Sequence, residues 1–96
     1  MMDAPNFDVI KFATEPLKFE IISEIYVVFL FKKYVPAIDL VEIKTKRKHS
    51  FVVGASSVAI ALEKIRSLNN GTLVGTVVWI HRESEDRMAK YVVEVA

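Results

Sequence analysis

The chain has 96 residues, of which 52% are apolar and none is cysteine, and its formal net charge is +1. This length predicts one domain, residues 1–96, with a modest core. The lack of cysteine excludes a disulfide framework and a thiolate metal site, and it is compatible with a reducing cytosol. Because so small an interior cannot hide this much apolar surface, we expect a homodimer or a partner interface.

The small net charge conceals an uneven distribution of charge along the chain. Residues 1–31 carry a net charge of −3, and residues 67–96 carry a net charge of −1. Residues 32–66 carry eight lysine and arginine side chains against three acidic ones, a net charge of +5. A concentration of positive charge in one region is typical of proteins that bind phosphate groups.

The N-terminal residues 1–8 are acidic and lack the basic region and apolar core of a secretory signal peptide. We therefore expect an intracellular protein that is either cytoplasmic or associated with the nucleoid or chromatin. Residues 7–13 (FDVIKFA) have the composition of a short strand.

Residues 16–34 allow two interpretations. A helix is indicated by an apolar stripe at helical spacing, by Pro16 at a first helical position, and by Lys32 and Lys33 in a last turn. Strands are favoured by the abundance of Ile, Val, Phe and Tyr. The longest apolar run, residues 25–31 (IYVVFLF), is far shorter than the roughly 20 residues of a membrane helix, so we expect no membrane partner.

A basic segment lies in the middle of the chain. Pro36 is expected in a connection, a strand is predicted over residues 39–48, and residues 49–55 continue or follow it. Positive charge is densest at residues 44–49 (KTKRKH). This cluster favours contact with phosphates. The alternative is an edge strand or loop whose lysines prevent edge-to-edge pairing.

The clearest helix is predicted over residues 56–68. The serines at 56–57 are N-cap candidates, and apolar residues recur at helical spacing through the segment. Residues 69–71 (NNG) tolerate the left-handed conformation that ends a helix.

A hairpin is predicted at the C-terminus. Its strands are residues 72–81 and 88–95, and the polar residues 82–87 (RESEDR) connect them. Trp79 and Tyr91 lie on these adjacent strands. Aromatic side chains on a sheet face can stack unpaired bases, although they more commonly pack in a core or an interface.

Residues 51–54 (FVVG) run into the helix, which is followed by NNG, a long strand and a hairpin. Residues 7–13 are followed by TEPL at 14–17. This order resembles the Alba family of small archaeal chromatin proteins and their relatives among RNase P/MRP subunits and eukaryotic RNA-binding proteins. The resemblance implies an α+β domain with a β-α-β-α-β-β sheet and two helices, the first within residues 16–34. The alternative is a curved antiparallel sheet with one helix near residues 56–68.

Two features depart from that family. Its lysines before the turn proline are replaced here by Thr14 and Glu15, and its basic hairpin arm is replaced by a segment with three acids between two arginines. The basic residues 44–48, near the family's central basic loop, would therefore have to carry more of the binding.

The sequence thus predicts a non-catalytic domain that binds the phosphate backbone of DNA or RNA, largely independently of base sequence. The candidate contacts are Lys44, Lys46, Arg47 and Lys48, assisted by Lys32, Lys33, Arg82, Arg87 and Lys90. No cofactor and no metal is expected. The sequence does not distinguish DNA from RNA or single strands from double strands.

A protein–protein assembly module is the alternative function. The apolar residues 25–31 or 72–80 would then form a dimer or partner interface, and the basic segment would be a solubilising edge. An enzyme is not indicated. His49 and His81 are the residue types for acid–base catalysis or metal binding, but no spacing places them together.

Overall fold

The structure, a computed structural model, describes residues 4–30, 32–54, 56–86 and 89–96. Within these residues the elements in chain order are β1 (Leu17–Ile21), β2 (Tyr26–Leu30), β3 (Lys33–Glu42), β4 (Lys48–Val52), α1 (Ser56–Leu68), β5 (Val77–Arg82) and β6 (Tyr91–Val95). The strands form one six-stranded sheet with antiparallel neighbours. The predicted α+β class is confirmed. The prediction of two helices is wrong, because β1 and β2 occupy most of the segment that was predicted to form the first helix.

The long strand β3 organises the sheet. Its first half, from Lys33 to Ala37, pairs with β2, and residues 40–42 pair with β1. β1 and β2 therefore follow one another along the same edge of β3, with a bend at residues 22–25. β4 pairs with residues 37–41 on the opposite edge. Beyond β1 the sheet continues with β5 and β6.

Side-chain alternation explains why the first half of the chain forms strands. In β1, Phe19 and Ile21 are fully buried, whereas Lys18 between two apolar neighbours is exposed. A period of two places one face of a strand in the core and the other in solvent, and the β-branched and aromatic residues suit this surface. The helical stripe in residues 16–34 is therefore incidental.

Pro36 lies inside β3 and not in a connection as predicted. It pairs with Val27 of β2, and its carbonyl accepts a hydrogen bond of 2.8 Å from the backbone N–H of Val53. The N–H and C=O of one residue in an antiparallel strand point to the same neighbouring strand, so an N–H at position 36 would point toward β4. Because β4 ends at Val52, no residue of β4 lies opposite position 36 to accept such a hydrogen bond. The ladder consequently loses little at this position.

The helix α1 is found at the predicted residues and covers one face of the sheet. Val58, Leu62 and Ile65 are buried on its inner side. At its C-terminal end Gly71 has φ +82°, and its N–H donates to the carbonyl of Arg66 at 2.8 Å. This geometry satisfies a free carbonyl of the last turn and ends the helix.

The N-terminal segment crosses from β4 to β5 instead of forming the predicted strand over residues 7–13. Val9 forms a single parallel bridge with Ser50. Farther along, the carbonyl of Ala13 accepts a 2.7 Å hydrogen bond from the N–H of Arg82. Phe12 lies between them and packs edge-on against Phe51 with ring centroids 4.8 Å apart. The segment thereby joins two distant strands and covers the core.

The C-terminal hairpin is confirmed, with shorter strands than predicted. Residues 72–76 form a loop, and the carboxylate of Glu24 holds it. Glu24 accepts hydrogen bonds of 2.6 Å from the Thr72 hydroxyl, 2.9 Å from the Leu73 N–H and 3.0 Å from the Val74 N–H. In the described part of the chain no helix has the length and apolar content needed to span a membrane.

Candidate nucleic-acid interface

The basic segment forms the turn of the β3–β4 hairpin. The N–H of Glu42 donates to the carbonyl of Arg47, and the N–H of Lys46 donates to the carbonyl of Glu42, each at 2.8 Å. Lys46 has φ +63°, a left-handed conformation that tightens the turn at a cost in free energy for a residue with a Cβ atom. The predicted single strand over residues 39–48 is therefore interrupted by a turn.

The turn presents positive charge to solvent. Lys44, Lys46, Arg47 and Lys48 are all exposed. Among the described residues the one ion pair joins Arg66 and Glu63 on α1, so none of these four cations forms an ion pair there. The Lys48 ammonium lies 5.8 Å from the centroid of the Phe7 ring. We call Lys44, Lys46, Arg47 and Lys48 the basic hairpin tip.

Lys18 and Trp79 extend this surface on the sheet face that is turned away from α1. They are paired residues of β1 and β5, and the Lys18 ammonium lies 5.1 Å from the centroid of the indole ring. Trp79 is 39% exposed, unlike its buried neighbours Val78 and Ile80. The Ile43 N–H donates to the Lys18 carbonyl at 3.0 Å, which fixes the hairpin next to this pair.

Lys32 and Lys33 lie at the other end of the sheet. They follow β2 and begin β3, whereas the basic hairpin tip follows the end of β3. β3 has ten residues, so the two groups are roughly 30 Å apart at the rise of an extended strand. The structure does not bring them together with the tip.

The predicted contacts of the β5–β6 connection have different surroundings. Arg82 is half-buried, and its guanidinium donates to the Asp86 carbonyl at 2.7 Å, so it holds the connection in place. Lys90 is exposed and lines a shallow groove with Ala61 of α1. Arg87 lies outside the described residues.

Other candidate groups are separated by the sheet. Tyr91 packs against Phe12 and Phe51 on the core side, so it cannot share a stacking surface with Trp79. His49 is paired with Leu40 and lies on the core side of the sheet, whereas His81 lies on the opposite face together with Trp79. No group of three or more metal-ligating side chains is present among the described residues.

Sequence reasoning missed Lys18, which stands in the acidic first third of the chain. Its proximity to Trp79 and to the hairpin depends on the register of β1 against β5 and β3. Register is set by packing of the whole sheet, so no local signal in the sequence could have shown this association.

Comparison with known proteins found no matching family model, no matching curated protein and no matching solved structure.

Proposed function

We propose that this protein is a nucleic-acid-binding domain that holds the phosphate backbone with the basic hairpin tip. The observation that carries the proposal is the exposure of four cations at one turn, none of which forms an ion pair with a described residue. When such cations contact phosphates, they release counterions condensed on the nucleic acid, and this release favours binding. Contacts of this kind are largely independent of base sequence.

The rigid base of the turn also supports the proposal. Backbone hydrogen bonds between Glu42 and both Lys46 and Arg47 hold the chain, so the four side chains lose only rotamer freedom when they bind. The first helix that the Alba resemblance implied is not found among the described residues, which form β1 and β2 there. Lys90 and Arg82 lie at a connection that also carries three acids, and we give them a minor role.

The test is a salt titration with a labelled oligonucleotide, read by fluorescence anisotropy. The parent should lose affinity with a log–log slope of about −3 to −4 if about four phosphates are neutralised. Replacement of all four tip residues, Lys44/Lys46/Arg47/Lys48→Ala, should abolish saturable binding at low salt. Circular dichroism checks that the variant is folded.

The matched control is Lys32/Lys33→Ala, which removes charge from the opposite end of β3. It should bind like the parent. The proposal fails if the quadruple variant binds as tightly as the parent.

Self-association is the second candidate function, and one exposed surface favours it. Three apolar or aromatic side chains are exposed on one face of the β2–β3 hairpin: Val27 (59%), Phe29 (48%) and Tyr34 (66%). Farther along β3 the same face of the sheet is buried in the core. We propose that this surface binds a second copy of the chain. In an antiparallel pairing of two β2 strands about Val28, Glu24 of one copy would lie opposite Lys32 of the other.

A further inference from the structure

A groove lies beside the basic hairpin tip, at the Lys18–Trp79 pair. It has a volume of about 340 Å³ and is bounded by Pro16, Leu17, Ile43 and the indole of Trp79. Lys18 and Lys44 also line it. Its volume is at the small end of the range for ligand sites, roughly 300–1,000 Å³, and is sufficient for one planar ring system.

The charges at the groove favour a base over a phosphate as its occupant. Glu15 and Glu42 line it as well and would repel a phosphate inside it. Carboxylates accept hydrogen bonds from the exocyclic amino groups of bases, so they do not exclude a base. Lys18 and Lys44 can then contact the phosphates on either side of that base.

Trp79 provides the stacking surface. Trp79 is 39% exposed in the middle of a sheet face, so part of its large ring is open to a ligand. The Lys18 ammonium over the ring is an exposed cation–π contact, which is weaker than base stacking and can be displaced. A base paired inside a duplex cannot reach such a ring, because its faces are covered by its neighbours.

We infer that an unpaired base of a single-stranded nucleic acid stacks on Trp79 in this groove, while the basic hairpin tip holds the adjoining phosphates. This inference rests on the proposed function and adds strandedness to it. The protein should therefore bind single strands more tightly than a duplex of the same sequence.

The chain contains a single tryptophan, so its fluorescence reports on this site alone. A 12-nucleotide single strand of mixed sequence should quench it, and the matching duplex should quench it less at equal saturation. In anisotropy titrations Trp79→Ala should weaken single-strand binding by roughly 5- to 150-fold and leave duplex binding within about twofold. Trp79→Phe retains an aromatic face and should lose less. Ile60→Ala, on the exposed side of α1, is the control and should bind like the parent.

The outcomes separate the two proposals. If Trp79→Ala binds single strands like the parent while the quadruple tip variant does not bind, base stacking is wrong and phosphate binding stands. Equal affinity of the parent for both strand types also overturns the inference. If the parent binds neither strand type at low salt, both proposals fail.

Discussion

The hydroxyl of Tyr26 donates a hydrogen bond of 2.5 Å to Oδ1 of Asp39, a buried residue that is only 4% exposed. Ser50 donates to the same oxygen at 2.7 Å, and the Asn6 amide donates to Oδ2 at 2.8 Å. Neutral donors from three parts of the chain thus satisfy a buried acidic side chain, and they attach the N-terminal segment to β2, β3 and β4.

We expect Tyr26→Phe to destabilise the protein by about 1–3 kcal/mol, because the buried carboxyl group loses a donor that water cannot replace. Urea denaturation measures the change. Tyr34→Phe is the matched control, since Tyr34 is 66% exposed, and it should change stability by less than about 0.5 kcal/mol. If Tyr26→Phe lowers the free energy of unfolding no more than Tyr34→Phe does, the Tyr26 hydroxyl does not stabilise the fold.

The same hydroxyl makes stability depend on alkaline pH. Burial, followed by the hydrogen bond to Asp39, raises the pKa of Tyr26 above 10.0, its ordinary value. The folded state therefore keeps a proton that the unfolded state releases, so the stabilisation is complete below pH 10 and is lost as the pH rises through the folded-state pKa. Tyr26→Phe should lack this component.

Glu24 predicts a dependence on acid pH. Hydrogen bonds from the Thr72 hydroxyl and then the Val74 N–H hold the pKa of Glu24 below 4.5, its ordinary value. Its stabilising effect is therefore fully present above pH 4.5 and is lost as the pH falls through the lower folded-state pKa.

Glu24→Gln should be less stable than the parent at pH 7, and the difference should shrink as urea midpoints are measured at successively lower pH. Glu83→Gln, an exposed carboxylate in the β5–β6 connection, is the control and should follow the parent. A difference between Glu24→Gln and the parent that does not change with pH would contradict the assignment.

Some features of the fold could be predicted from the sequence, whereas the contacts of Tyr26 and Glu24 could not. The helix at residues 56–68 was predictable because its apolar spacing, the serines at its start and the NNG stop are local and agree with one another. Residues 16–34 were ambiguous because β-branched residues can also form a helical stripe, and no Gly or Pro marks the bend at residues 22–25. The contacts of Glu24 and Tyr26 join residues 48 and 13 positions away, which no local pattern encodes.

The candidate site also combines features that the sequence shows directly with features that depend on the fold. The basic hairpin tip is contiguous in the sequence, so its charge could be recognised directly. Lys32 and Lys33 are equally basic, but the length of β3 places them at the opposite end of the sheet. Trp79 could be named as a stacking candidate, whereas its separation from Tyr91 and its contact with Lys18 depend on strand register.

Self-association through β2 gives a further prediction. Sedimentation equilibrium of the parent at micromolar concentration should give twice the chain mass of 10.9 kDa. Val27→Lys places a charge in the exposed apolar surface and should give the monomer mass, because each charge would be buried in the interface without a partner. Ile60→Lys, at a similarly exposed apolar position on α1, should remain dimeric. A parent mass of 10.9 kDa would refute the dimer.

A single substitution can locate the phosphate contacts without disturbing the fold. Lys46 in the basic hairpin tip and Lys32 in the β2–β3 turn have almost the same left-handed backbone, with φ +63° and +62°. Glycine adopts this conformation without steric cost, so Lys46→Gly and Lys32→Gly should both fold and should change stability alike, by up to about 1 kcal/mol. Each removes one positive charge, and the two differ only in position.

If the tip binds the backbone, Lys46→Gly should flatten the log–log salt slope by about 0.7–0.9, the contribution of one phosphate contact. Lys32→Gly should keep the slope of the parent, because roughly 30 Å of β3 separates it from the tip. Equal flattening by both substitutions would mean that the nucleic acid runs along the whole strand. Flattening by Lys32→Gly alone would place the backbone contacts at the β2–β3 turn and overturn the assignment of the tip.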